Sequence, residues 1–278
     1  MADILAKAGT TNEVLPGDEI PEGWLESTGS HIQLDSGSPK MHDFGAMVAE
    51  AVRSNIPNLA TARLGREYEY HSLPLCVIDA VFSIGVHYRN AQKAVESWCA
   101  SQKPVWPIYA QGNVARPTIG DMIEASCGLH GEALTDRFFG GNRQRTSSSS
   151  GILKADAVLL FAATLRDPRV DDFTEIRNET CVLRAEQAIM CIPGQRSGIS
   201  FRYFMMLAGD ESFVKPDRMI CRFVADAVGC DDVLPSHAAT AVVEACAKLT
   251  PEFPNLTPRL LDHLIWGHQR QERSSAGV

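Results

Sequence analysis

The sequence has no apolar run approaching the ~18 residues that a membrane-spanning helix needs, which excludes a protein built on helical spans. Nor does it open on a basic start followed by an apolar stretch. MADILAKAGTTNEVLPGDE carries no secretory signal, so the expected compartment is the cytoplasm. No C-x-x-C occurs. The eight cysteines (76, 99, 127, 181, 191, 221, 230 and 246) are scattered, a pattern that fits neither a zinc knuckle nor a cluster-binding run. In a cytoplasmic chain they are expected to stay reduced, most of them as small buried apolar side chains. Basic charge is also short, with 26 Lys and Arg against 34 Asp and Glu and a net charge of −8. At first sight this argues against nucleic acid as a partner.

What is present is the balance of a globular protein. Of 278 residues, 45 % are apolar and 22 % charged, which excludes wholesale disorder and leaves room for one large domain or two modest ones. The acidity is segregated. Residues 1–40 hold seven acids against Lys7 and Lys40, and so carry −5 of the −8, leaving the body nearly neutral. This segment, rich in Gly, Ser, Thr and Pro and without apolar period, reads as an acidic, disordered tail. Residues 269–278 read as a second, short tail.

Between the tails the apolar spacing is helical almost throughout. Phe44, Met47, Val48, Ala51 and Val52 fall at i, i+3, i+4, i+7 and i+8, with Pro57 after the end. Ser72 and Pro74 open a segment in which Leu73, Val77, Ile78, Val81 and Phe82 share a face. Ala91, Ala94, Val95, Trp98 and Cys99 make the next stripe, and Thr118 caps a short helix. Further stripes run through Leu153 to Phe161, Leu183 to Ile189, Val242 to Ala247 and Leu260 to Trp266. Sustained alternation is missing, so the fold class is all-α, with about ten helices of ordinary length. One basic loop, Gly140 to Gly151, carries Arg143 and Arg145 and a run of four serines.

Familiar catalytic signatures are absent. There is no G-x-G-x-x-G, P-loop or H-E-x-x-H, and Gly194-Gln195-Arg196-Ser197-Gly198 is not the G-x-S-x-G of a hydrolase elbow. His263 and His268 are five apart, the wrong spacing to share a helix face, and read as surface or capping residues.

One stretch is more informative: IPGQRSGISFRYFMMLAGDESFVKPDRMICRFVADAVG, from Ile192 to Gly229. A Pro-Gly turn joins a helix ending at Met190 or Cys191 to one running from Ser197 to Leu207. Pro216-Asp217 then starts a third helix that closes at Gly229. Such a turn offers free backbone N–H groups at a helix N-terminus, a place suited to a phosphate without a cluster of lysines.

At these residues the chain resembles the helix-hairpin-helix DNA glycosylases, the superfamily of endonuclease III. Ile192-Pro193-Gly194 matches the start of the family's hairpin, Asp217 falls at its catalytic aspartate, and Arg222 to Gly229 matches its closing helix. Phe82-Ser83 and Gly151-Ile152-Leu153-Lys154-Ala155 resemble upstream family segments, so the likeness spans roughly residues 70–230 in order and spacing. It implies a six-helix barrel domain over 71–216 containing the helix-hairpin-helix at 192–200. A second helical domain would be built from 41–70 with 217–268. The chain departs from the family at three places. Arg196 replaces the second hairpin glycine, Gly198 stands where bifunctional members carry a lysine nucleophile, and Gly85 stands at the wedge glutamine. No four-cysteine run for an iron–sulfur cluster follows the last helix.

The resemblance implies a monofunctional DNA glycosylase that flips a damaged, mismatched or modified base and hydrolyses its N-glycosidic bond. The partner is double-stranded DNA, with no membrane, and the bound enzyme would be nucleoid-associated. Asp217 is the candidate carboxylate for stabilising positive charge on the sugar and handling the water, although an Asp after Pro at a helix start is also an ordinary N-cap. Pro193, Gly194, Gln195, Arg196, Ser197, Gly198, Ser200, Arg202 and Arg218, with Arg143 and Arg145 of the basic loop, are the candidate DNA contacts. His87, Tyr88, Arg89 and Tyr203 are the candidates for base pocket or wedge. Lys215, two residues before Asp217, could be proposed as a nucleophile, but reads as an exposed loop lysine. No metal or cofactor is implied beyond a monovalent cation at the hairpin carbonyls. The alternative is a non-catalytic DNA-binding protein of the same fold.

Overall fold

The structure, a computed structural model, describes residues 43–275 apart from residues 87, 149, 167, 168 and 178. The acidic tail at 1–40 and the pocket candidate His87 therefore lie outside the described residues. Among those residues there are eleven α-helices and no strand longer than an isolated bridge, in keeping with the all-α expectation. In chain order they are α1 (Phe44–Asn55), α2 (Leu73–Phe82), α3 (Tyr88–Ser101), α4 (Ile119–Ala125), α5 (Gly131–Phe138), α6 (Lys154–Arg166), α7 (Glu179–Met190), α8 (Ile199–Leu207), α9 (Arg218–Val228), α10 (Pro235–Leu249) and α11 (Pro258–Ser275).

Local chemistry sets several of these boundaries. Thr118 closes a capping box at the start of α4, its hydroxyl accepting from the Asp121 N–H while the Asp121 carboxylate accepts from the Thr118 N–H. This reciprocal arrangement is worth about 1 kcal/mol. Helix α9 is punctuated at both ends, by Asp217 as its N-cap and by Gly229 in the left-handed region at φ +69°. Gly45 lets α1 lie close against α10, where an added Cβ would strike Glu244.

The helices bury two separate sets of side chains. One core draws on residues from Tyr70 to Leu207, and so on α2 to α8. The other joins α1 to α9, α10 and α11 through residues such as Val48, Val52, Val224, Val242 and Leu261. Helix α2 is the centre of the first core. The sequence predicts one apolar face, yet all ten of its residues are buried, because α3, α4, α6 and α8 pack around it. One of the ten is Asp79.

A second difference is at the C-terminus. The expected tail at 269–278 is helical through Ser275, and Gln269 is buried. Gln, Arg and Glu are good helix formers, so α11 continues past its apolar stripe once Leu260 to Ile265 has nucleated it. No helix of the described residues is long and apolar enough to cross a membrane.

Candidate functional site

A cleft of about 170 Å³ opens between the two cores, lined from one side by Ser83, Tyr88 and Tyr203 and from the other by Lys215, Asp217, Asp262, His263 and Trp266. A larger groove of about 500 Å³ between α1, α9 and α11 is shallow, and its one histidine, His268, packs edge-on against Phe223. The reactive groups gather in the smaller cleft.

Asp217 enters the cleft from the start of α9. Its Oδ1 accepts from the N–H groups of Met219 at 2.8 Å and Ile220 at 3.3 Å, so the capping reading of this residue holds. The cap fixes the carboxylate at the cleft wall and engages only one of its oxygens. Two residues earlier stands Lys215, which the sequence reading left exposed. It is half-buried instead. The Pro216 turn and α11 hold it in place, its backbone N–H donating to Asp262 Oδ2 at 2.8 Å. Its Nζ sits 3.6 Å from the centre of the Tyr203 ring and donates to Ser83 Oγ at 3.2 Å. Burial pulls the Lys215 pKa below the ordinary lysine value, against the attraction of Asp217, Asp79 and Asp262.

Beneath this layer lies a buried carboxylate. Asp79 Oδ2 accepts from the Tyr70 hydroxyl at 2.9 Å and the Tyr203 hydroxyl at 3.4 Å, while its buried Oδ1 has no partner. Burial raises the Asp79 pKa to about 6, although the Lys215 charge and both hydroxyls act to lower it. On the opposite wall, burial and the charge of Asp217 push the Asp262 carboxyl well above the usual range. Aromatic faces complete the walls. Tyr88 meets Trp266 edge to face with centroids 6.4 Å apart, and the Tyr68 hydroxyl is 2.9 Å from His263 Nδ1.

The hairpin between α7 and α8 has the expected turn, with Gly194 at φ +81° and Gly198 at φ +68° as the N-cap of α8. Glycine is required at 194 twice over, by this conformation and because a Cβ would strike Thr146. Thr146 belongs to the basic loop and donates to the Pro193 carbonyl at 2.8 Å, so the loop braces the turn.

The candidate DNA contacts divide accordingly. Pro193, Gly194, Arg196 and Ser197 are exposed at the tip, as is Arg218 at the start of α9, and Arg202 is half-buried. Gln195 and Ser200 are buried, at 3 % and 1 % exposure, Gln195 because the turn folds inward between Gly194 and Gly198 and Ser200 because it stands in the first turn of the buried helix α8. Their side chains are not available to a phosphate. Arg143 folds back onto Asp136 at 2.9 Å and Glu132 at 3.5 Å, and Arg145 donates to the Gly151 carbonyl. Of the pocket candidates, Tyr88 and Tyr203 line the cleft, while Arg89 is exposed. Tyr203 is 5 % exposed, with its ring against Lys215.

Sequence reasoning missed Asp79 and Asp262, the half-burial of Lys215 and the placement of His263 in the cleft. An acid inside the otherwise apolar LPLCVIDAVF was the one available signal for Asp79. Among the described residues no group of three or more His, Cys, Asp or Glu is arranged to hold a metal ion.

No curated protein and no solved structure matches the chain. A family model does, over residues 46–270, a span that takes in both cores, the hairpin and the whole cleft. The chain therefore belongs to the family described as a domain of unknown function, DUF8548.

Proposed function

We propose that the protein is a DNA glycosylase that removes an altered base by hydrolysis. The observation that carries this reading is Asp217, a carboxylate locked by two backbone N–H groups into an aromatic-walled cleft between two helical cores. The hairpin at 192–200 lies within the same fold, its exposed tip ready to hold a phosphate backbone through N–H groups and Arg196. In this reading α2 to α8 supply the barrel domain, and α1 with α9 to α11 supply the second domain.

The chemistry follows from charge. As the C1′–N bond breaks, the sugar gains oxocarbenium character, and the Asp217 carboxylate stabilises it. The same carboxylate orients a water and takes its proton as the water adds to C1′, leaving an abasic site. Tyr88 and Trp266 offer faces for an extruded base, whose flipping costs a few kcal/mol of stacking and pairing. Gly198 supplies no amine, so base release itself runs through water. The turn's own N–H groups engage the carbonyls of Ile192 and Gln195 and Thr146 engages that of Pro193, and each carbonyl keeps a second lone pair for a monovalent cation. No step requires that cation.

The test is abasic-site formation by wild type and Asp217→Asn on a panel of duplexes, each with one altered base. Alkali-labile sites from the wild type, reduced about 10²- to 10³-fold in the variant, are expected. Salt-dependent duplex binding by both proteins, with no release of any base, would instead establish the non-catalytic DNA-binding protein.

A further inference from the structure

Lys154 is an amine inside a core. It is the first residue of α6, 2 % exposed, and its Nζ donates to the carbonyls of Phe82 at 3.0 Å and Ile84 at 2.7 Å. Burial, with the charge of Lys215, draws its pKa down to about 8, so the charged form is held at a cost. A methionine would fill the same space without that cost, and what the amine adds is its grip on these two carbonyls. They flank Ser83, which closes α2 and whose Oγ accepts from Lys215 Nζ at 3.2 Å. Lys215 stands two residues before Asp217, with its backbone N–H on Asp262 at 2.8 Å. Val86 and Tyr88, further along the connection that Lys154 grips, line the cleft. Lys154 therefore fixes from behind the cleft wall opposite Asp217.

The segment that delivers Lys154 also reaches the hairpin. Its two arms pair with each other, the Lys154 N–H donating to the Gln144 carbonyl at 2.8 Å and the Thr146 N–H to that of Ile152 at 2.9 Å. Gly151 leaves no room for a side chain, since an added Cβ would strike the Ser147 backbone. Thr146 Oγ joins this loop to the turn, accepting from the Ile152 N–H at 3.2 Å and donating to the Pro193 carbonyl at 2.8 Å. A run of hydrogen bonds thus leads from Pro193 through Thr146, Ile152 and Lys154 to the backbone around Ser83, and from Ser83 to Lys215. Resting on the glycosylase reading, we propose that Lys154 is a positioning residue: with Thr146 it makes the 144–154 loop a strut that keeps the Ser83 wall of the cleft in register with the hairpin. A strand gripped at the hairpin then presents its sugar at the distance that Asp217 requires. Neither Lys154 nor Thr146 touches the reacting atoms. A displacement of about 1 Å at those atoms costs about 10²-fold in rate, so loss of the strut is read in turnover and not in binding.

The experiment uses the full chain as wild type, Thr146→Val, Lys154→Met, the double variant, and Lys154→Arg, whose guanidinium also donates to two carbonyls. Single-turnover base release is measured on duplexes with one altered base. Amide hydrogen exchange over Ser83–Val86 is followed with and without an unmodified duplex. Thr146→Val and Lys154→Met are each expected to release base about 10²-fold more slowly while binding the duplex as wild type does. The double variant is expected to be no slower than either single one, because both changes cut one strut, whereas two independent structural defects would multiply. Lys154→Arg is expected to recover part of the rate. Duplex binding is expected to slow exchange at Ser83–Val86 in wild type and to leave it unchanged in Thr146→Val and Lys154→Met. Losses that multiply, a wild-type rate in Lys154→Met, or exchange that responds alike in every protein overturns the strut, while base release by wild type keeps the glycosylase standing. Exchange that responds through Thr146 and Lys154, without release of any altered base, supports the strut and removes the glycosylase reading. Absence of duplex binding by wild type overturns both.

Discussion

Replacing Asp79 by Asn removes a carboxylate from the centre of α2 without changing its shape, and the effect on stability should depend on pH in a defined direction. The unfolded side chain titrates near 3.8 and the folded one near 6. Between those values the native state binds a proton that the unfolded state does not, so stability falls as pH rises. The whole fall is about two units at roughly 1.4 kcal/mol each, or about 3 kcal/mol, present below the lower value and lost above the upper one. Asn cannot ionise, so the variant avoids that loss. It accepts the Tyr70 and Tyr203 hydroxyls through its carbonyl oxygen but places an NH2 where Oδ1 has no partner, which costs about 1–2 kcal/mol. The expected net result is a variant more stable than wild type by about 1–2 kcal/mol above pH 7. Its advantage should vanish or reverse near pH 4. Urea denaturation of both proteins across this range reads the difference directly. A difference that does not change with pH would refute the reasoning, because it would mean that Asp79 has the same proton affinity folded and unfolded.

Three further outcomes are expected. Asp217→Ala should lose about 1 kcal/mol of stability in the same assay, since the Met219 and Ile220 N–H groups lose their cap, whereas Asp217→Asn should lose far less. Gly194→Ala should cost about 1–3 kcal/mol and weaken duplex binding, and adding Thr146→Ala should recover little of it, because the Cβ of residue 146 still meets the new methyl and the positive φ remains. Burial and the Lys215 charge lower the pKa of Lys154 from 10.5 to about 8, so this residue alone should contribute a rise in stability of about 3 kcal/mol as pH climbs through that interval, read as the difference between wild type and a variant without the amine. Lys154→Met should remove that contribution, and a wild-type-minus-variant difference that does not change with pH would show that Lys154 titrates normally.

How far the fold could be read from sequence depended on the kind of signal each residue carries. Helical stripes such as Ala91, Ala94, Val95, Trp98 and Cys99 were legible because one buried face leaves a period, and all five are buried in α3. Asp217 and Gly229 were legible because caps obey local backbone rules, and they bound α9 as expected. Lys215 was not. It sits in a short polar loop, and only the approach of Ser83, Tyr203 and Asp262 from elsewhere in the chain draws it inward. Gln195 and Ser200 were misplaced for a related reason: spacing assigns them to the hairpin, but not Gln195 to the inside of its turn or Ser200 to the packed face of α8. Arg143 and Arg145 carry basic charge in the sequence, yet the fold spends it on Asp136, Glu132 and the Gly151 carbonyl.

A helix hidden on every side, as α2 is, also shapes how the chain comes to be folded. LPLCVIDAVF has no polar face to turn to water while it waits, and its last packing partner, α8, ends about 125 residues later at Leu207. At about 5–20 residues per second of synthesis, that segment spends roughly 6–25 s outside the ribosome before it can be fully enclosed. During that interval it is an apolar ten-residue peptide tethered to a growing chain, a natural object for a holding chaperone. Once enclosed, its backbone amides should be released to solvent only when the whole first core opens.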